Sequence, residues 1–99
     1  MTQKTYEDVG TEIGALVDEK NAAYGDSFRK CSNYLRLLYP DGVKPSQYSD
    51  MLALVRDFDK NMRIATNKGA FGENPWKDKA GYAILKVKQD GEDANEKTI

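Results

Sequence analysis

The side chains that could carry chemistry in this chain are carboxylates, lysines, arginines and tyrosines, because the sequence has no His and a single Cys, Cys31. Without His there is no Ser–His or Cys–His nucleophile and no imidazole metal ligand. One thiol can form neither an internal disulfide nor a Cys-based zinc cluster, and we expect Cys31 to be a small core residue. The remaining oxygen ligands and ammonium groups suit recognition of Mg²⁺ and phosphate.

The first group of such residues consists of Glu19, Lys20, Asn21 and Tyr24, just before Gly25. A carboxylate for a metal ion, an ammonium for a phosphate and an aromatic ring for a base would together form the wall of a polar pocket. A solvated helix end that stops at the glycine explains the same residues. The pattern by itself favours this second interpretation.

The second group consists of Asp59, Lys60 and Arg63. Asp59 and Arg63 are four residues apart, as in an ordinary helical ion pair that contributes about 0.3 kcal/mol. Lys60 and Arg63, however, lie one turn apart beside an apolar stripe, and a basic pair next to a carboxylate is what a metal–phosphate site requires. Taken alone, the group favours the ordinary ion pair.

The third group contains Asp78 and Tyr82, one helical turn apart, with Gly81 leaving room for a close neighbour. A helix start at Asn74 explains part of this segment without any function. Asp78 lies at the border of the predicted buried face, where a carboxylate needs a partner. A cation, an arginine such as Arg63, or a metal ion would meet that need.

Four amphipathic stretches must position these groups, because apolar residues recur at steps of three and four over about 6–24, 27–39, 47–67 and 75–88. The expected N-caps are Thr5, Asp26 or Ser27, Ser46, and Asn74 followed by Pro75. From Gln89 onward the acidic, polar sequence predicts a flexible tail. The sequence therefore predicts an all-α fold: one domain over 1–99, a small four-helix bundle with a core at about 5–88 and a tail at 89–99.

Size and charge narrow the classes of partner. Ninety-nine residues bury proportionally little surface, so we expect a homodimer or higher oligomer. No apolar run approaches the roughly 20 residues of a membrane span and no signal-peptide core follows Met1, which predicts a cytoplasmic protein without a membrane partner. A net charge of −1 argues against duplex nucleic acid as the partner.

In combination, the three groups resemble a known family. The order Glu-Lys-Asn-x-x-Tyr-Gly-Asp-Ser-Phe, Asp-Lys-x-x-Arg-Ile and Glu-Asn-Pro-Trp-x-Asp-x-x-Gly-Tyr-Ala is similar to small phage and bacterial MazG-like proteins, in particular the branch called the nucleotide modification associated domain. The resemblance covers about 17–85. Those relatives belong to the all-α nucleoside triphosphate pyrophosphatases, which use Mg²⁺ held by helix carboxylates to release the monophosphate and pyrophosphate.

The resemblance implies a role for each matching residue. Glu19 and Asp78 would be the catalytic carboxylates and, with Asp59, the Mg²⁺ ligands. The residues implied to bind substrate are Lys20, Lys60 and Arg63 at the phosphates, Tyr24 with Asn21 or Phe28 at the base or sugar, and Tyr82. The implied function is Mg²⁺-dependent hydrolysis of a nucleoside triphosphate, a dNTP or modified nucleotide, in a phage-type setting.

One departure from the family keeps two alternatives open. Catalytic members carry a Glu-x-x-Glu pair followed by a Glu-x-x-Asp pair, whereas this chain has no Glu-x-x-Glu. Binding could therefore persist without hydrolysis, as in a protein that sequesters a nucleotide or cyclic nucleotide to counter a host defence. A helical module that only contacts other proteins, with its charges solvated, is the third hypothesis.

Overall fold

The computed structural model describes residues 3–98, and side chains over 3–94. Four helices follow one another: α1 (Tyr6–Ala23), α2 (Ser27–Leu38), α3 (Tyr48–Asn67) and α4 (Pro75–Thr98). Two short 3-10 turns, Pro45–Gln47 and Ala70–Gly72, precede α3 and α4. No strand occurs among the described residues, so the predicted all-α class is confirmed.

Two of the predicted helix starts are confirmed by their capping hydrogen bonds. At α1 the Asp8 backbone N–H donates to the Thr5 hydroxyl at 3.1 Å, and the Thr5 N–H donates to the Asp8 carboxylate at 3.0 Å. At α4 the Trp76 N–H donates to the Asn74 side-chain oxygen at 3.1 Å. Each cap satisfies backbone donors that the first helical turn cannot pair internally.

The other two helix starts differ from the prediction in part: Asp26 occupies the N-cap position of α2 without a side-chain capping hydrogen bond, and Ser46 is not the N-cap of α3. Asp26 adopts a left-handed backbone, with φ of 59°, and its carboxylate forms an ion pair with Arg29 instead of capping α2. This hydrogen bond from Arg29 lowers the pKa of Asp26. Ser46 lies within the 3-10 turn, where Gln47 accepts a hydrogen bond from the Lys44 N–H at 2.9 Å.

Helix α4 also continues to Thr98, past the expected end near Gln89. Lys88 and Glu92 form an ion pair one turn apart at 2.6 Å, which supports the helix locally. The predicted tail over 89–99 is therefore helical as far as Thr98, and Ile99 lies outside the described residues.

Helix α3 is the centre of the fold, with α2 and α4 packed against it. The Tyr34 and Phe58 rings stack at 4.6 Å between α2 and α3, close to Cys31, which is buried as expected. Burial, with the charge of Asp59, raises the pKa of the Cys31 thiol. Ion pairs join α4 to α3: Lys60–Asp78 at 3.1 Å, Lys79–Asp57 at 3.4 Å and Lys86–Asp50 at 2.9 Å.

Helix α1 contributes little to this core. Ala23, near its C-terminal end, is its only buried residue, and its apolar stripe is exposed. The stripe consists of Tyr6, Val9, Ile13, Leu16 and Val17. No helix within 3–98 is long and apolar enough to cross a membrane.

Candidate functional site

A groove of about 480 Å³ lies where the end of α1, the start of α2 and the middle of α3 meet. Its lining consists of Leu16, Val17, Lys20, Asn21, Tyr24, Ser27, Phe28 and Asp59. Five of these residues, Lys20, Asn21, Tyr24, Phe28 and Asp59, are among the predicted site residues. The volume is within the range of small-molecule sites, roughly 300 to 1,000 Å³.

The groove exists because the chain reverses sharply after α1. Gly25 and Asp26 both have left-handed backbones, which changes the direction of the chain between α1 and α2. At Gly25 an added Cβ would lie 2.5 Å from the Thr66 hydroxyl oxygen, so the absence of a side chain lets this turn sit directly on α3. Along α1, residues three and four apart lie on one face, which brings Lys20 and Tyr24 to the same wall.

The inner side of the groove is polar, and its rim is aromatic. Ser27 is buried, and Asp59 is half-buried. Within the described part of the chain, the Asp59 carboxylate forms no ion pair or hydrogen bond. At the rim, the Phe28 side chain is 93% exposed. An exposed ring beside an apolar wall is suited to stacking on a flat ligand.

Lys60 lies behind the Tyr24 wall, with its ammonium 5.9 Å from the centre of that ring and 3.1 Å from the Asp78 carboxylate. Its side chain is 13% exposed. Burial lowers the pKa of Lys60, but the hydrogen bond to Asp78 and the negative potential of Asp78, Tyr24 and Tyr82 outweigh it and leave the pKa raised. Asp78 thus has the cationic partner that its position requires, and this partner is Lys60.

Arg63 is directed away from the groove, and its side chain is 0% exposed. Its guanidinium donates to the Ala70 carbonyl, to the Glu73 carbonyl at 2.8 Å and to the Glu73 carboxylate at 3.0 Å. The expected ion pair between Asp59 and Arg63 is therefore not formed. The reason is that three acceptors in the α3–α4 loop bind the guanidinium more strongly than the single Asp59 carboxylate could.

Two further predicted residues lie outside the groove. Glu19 lines a separate depression of about 380 Å³ with Thr66, Asn67 and Phe71. Tyr82 faces α3, where the Arg56 guanidinium lies 5.8 Å from the centre of its ring.

The three predicted Mg²⁺ ligands do not converge within one chain. Glu19 and Asp59 line different depressions, and Asp78 is paired with Lys60. Among the residues whose side chains are described, no three acidic or Cys side chains form a group that could hold a metal ion. The single chain therefore offers Asp59 as an isolated carboxylate in the groove.

Sequence reasoning missed two contributions. Leu16 and Val17 line the groove, although the pattern assigns them only to the apolar stripe of α1. Glu73 anchors Arg63, and no signal in the sequence identifies this partner because the two residues are ten positions apart across a loop. Comparison with protein-family models, curated proteins and solved structures found no match for this chain.

Proposed function

We propose that this chain is a MazG-like nucleotide-binding protein whose site is the groove between α1, α2 and α3. The base stacks on Phe28 and Tyr24 at the aromatic rim, and the Lys20 ammonium contacts a phosphate. Asn21 offers an amide donor and acceptor to the base edge or sugar, and Asp59 accepts a hydrogen bond from an N–H or hydroxyl group of the ligand.

One observation carries this proposal: Lys20, Asn21, Tyr24, Phe28 and Asp59 line a single groove although they belong to three different helices. If this region were only a solvated helix end, only Lys20, Asn21 and Tyr24 would need to be exposed. Such a helix end would not bring an exposed Phe and a half-buried carboxylate to the same cavity. The arrangement combines a π surface, one cation and hydrogen-bonding groups, which are the components of a nucleotide site.

Calorimetric titration with ATP, dATP, AMP and a cyclic dinucleotide tests the proposal. Phe28→Ala should weaken binding by about 5- to 150-fold because the loss of one base–aromatic stack costs on the order of 1 to 3 kcal/mol. The matched control is Leu37→Ala, which also removes an exposed apolar side chain from α2 but lies outside the groove. Wild-type protein that binds none of these ligands, or equal losses for both variants, would refute nucleotide binding here and leave a protein-interaction module.

Hydrolysis to the monophosphate and pyrophosphate, with Mg²⁺ as the metal, is the second candidate. The favouring observation is Asp59, a half-buried carboxylate in the groove without an ion pair in the described part of the chain. The test is chromatographic analysis of nucleotide incubated with Mg²⁺ or Mn²⁺. Pyrophosphate release that Asp59→Asn abolishes supports an enzyme, whereas intact recovery of bound nucleotide supports sequestration.

A further inference from the structure

A single copy of this chain exposes an unusually large surface area to solvent. Its accessible surface is 7915 Å², whereas a compact monomer of 11.1 kDa exposes about 5,700 Å². The radius of gyration, 18.0 Å, likewise exceeds the roughly 13 Å expected for about 100 residues. The excess of roughly 2,200 Å² is comparable to what one subunit buries in a permanent dimer, about 1,000 to 2,500 Å².

The apolar stripe of α1 forms an exposed face along most of that helix. Tyr6, at its N-terminal end, is 99% exposed, and the stripe continues through Ile13 to the groove. Gly10 and Gly14 flank the stripe, and apart from the backbone of α1 itself no atom of the described residues lies within 4 Å of the positions their Cβ atoms would take. A second helix could therefore approach α1 closely along this side.

The α1 face that carries the stripe has symmetric spacing about Ile13, which favours a second copy of the same helix as its occupant. On this face the stripe residues at 6, 9, 13 and 17, followed by Lys20, are separated by three, four, four and three residues, and Leu16 lies at its edge, opposite Gly10 of the other copy. When two α1 helices run antiparallel with Ile13 opposite itself, Val9 lies opposite Val17 and Tyr6 opposite Lys20. Such self-complementarity is what a twofold interface requires.

We propose that two copies pair through antiparallel α1 helices, and that Tyr6 of the partner subunit completes the groove beside Lys20. Lys20 lies one turn beyond Leu16 and Val17 on the same face and lines the groove with them, so the stripe and the groove are continuous. The ring of the partner's Tyr6 lies over the Lys20 ammonium, the geometry of a cation–π contact. Each groove then has walls from both subunits.

Sedimentation analysis tests the pairing without reference to any ligand. The wild type should sediment at twice 11.1 kDa, and Ile13→Glu at 11.1 kDa, with helical circular dichroism retained. Ile84→Glu is the matched control, because it places the same charge on an exposed isoleucine of α4, and it should remain dimeric. A monomeric wild type, or an Ile13→Glu variant as dimeric as Ile84→Glu, would overturn the proposal.

Disulfide cross-linking tests the orientation, in a Cys31→Ser background that removes the native thiol. Antiparallel pairing places position 9 near position 17 of the other copy, so Val9→Cys with Val17→Cys should cross-link under mild oxidation. Val9→Cys alone should not, because two copies of position 9 lie about two turns apart, about 12 Å. Efficient cross-linking of the single variant would indicate a parallel pair and refute this arrangement.

Mixing two defective variants tests the shared groove, and this step rests on the proposed function. Tyr6→Ala and Lys20→Ala should each lose nucleotide binding as homodimers. After unfolding and refolding together in equal amounts, heterodimers carry one groove with both residues intact, which restores about a quarter of all grooves. No restoration by a dimeric mixture would refute the contribution of Tyr6, whereas a wild type that dimerises but binds no nucleotide would refute the proposed function alone.

Discussion

Replacing Arg63 by methionine should destabilise the fold more than any single change on the surface. The guanidinium holds the α3–α4 loop through the carbonyls of Ala70 and Glu73 and the carboxylate of Glu73. Because the arginine side chain is 0% exposed, water cannot replace it at these acceptors without rearrangement of the loop. Methionine refills most of the volume but donates no hydrogen bond.

The magnitude follows from the exposure of the partners. Two carbonyls that lose a buried donor cost about 1 to 3 kcal/mol each. The Glu73 side chain is 59% exposed, so its part of the ion pair contributes at most about 1 kcal/mol. The Arg63 Nε is buried without a hydrogen-bond partner within the described residues. Because the methionine variant lacks this unsatisfied donor, part of the loss of stability is offset. We therefore expect a loss of about 3 kcal/mol in the free energy of unfolding.

Urea unfolding followed by far-ultraviolet circular dichroism, at one fixed protein concentration, measures this loss. Glu73→Gln is the control, because it removes the exposed charge while the carbonyls keep their donor, and it should cost less than about 1 kcal/mol. Arg63→Lys keeps the positive charge but not the planar set of N–H donors, so its loss of stability should lie between those of Arg63→Met and Glu73→Gln. Equal losses for Arg63→Met and Glu73→Gln would show that the carbonyl contacts contribute nothing, contrary to the reasoning above.

Three further changes test other parts of the fold by the same urea unfolding measurement. The raised pKa of Lys60 means that its stabilising contribution is present below the pKa of an unfolded lysine and is lost as the pH rises through the folded value. From about pH 10 to 12 the wild type should therefore lose stability more steeply than Lys60→Met. Gly25→Ala should cost about 2 kcal/mol, because its left-handed backbone disfavours a Cβ and that atom would contact Thr66, and Thr66→Ala should recover part of the loss. Thr5→Ala should remove the capping box of α1, with a loss of about 1 kcal/mol and a smaller helical signal before unfolding.

The features that the sequence predicts correctly depend on nearby residues. Thr5 and Asn74 cap their helices because a cap needs only the first turn that follows it. Lys20 and Tyr24 share the groove wall because helical spacing determines their common face. Ser46 fails as a cap because Pro45 begins a 3-10 turn at the position where the α-helix was expected to start.

The features that could not be predicted depend on which residues, far apart in the sequence, pair with one another in the fold. Asp78 needed a cation, and Lys60 and Arg63 lie on the same helix within one turn of each other. Local spacing cannot decide between them, because the choice follows from how α4 returns beside α3. The loop before α4 supplies carbonyl acceptors to Arg63, and only a side chain with several donors can satisfy them together.

The same ion pairs and hydrogen bonds determine which charges remain in the groove. Of the three cations predicted to contact phosphate, Arg63 binds the loop and Lys60 is neutralised by Asp78, so Lys20 alone lines the groove. Asp59 balances that single charge from the inner side. At the proposed nucleotide site, one cation and one carboxylate would supply little net attraction to phosphate, so the apolar walls and the exposed aromatic rim would have to supply most of the affinity. In the proposed dimer, an additional aromatic side chain from the second copy would therefore improve recognition more than an additional cation would.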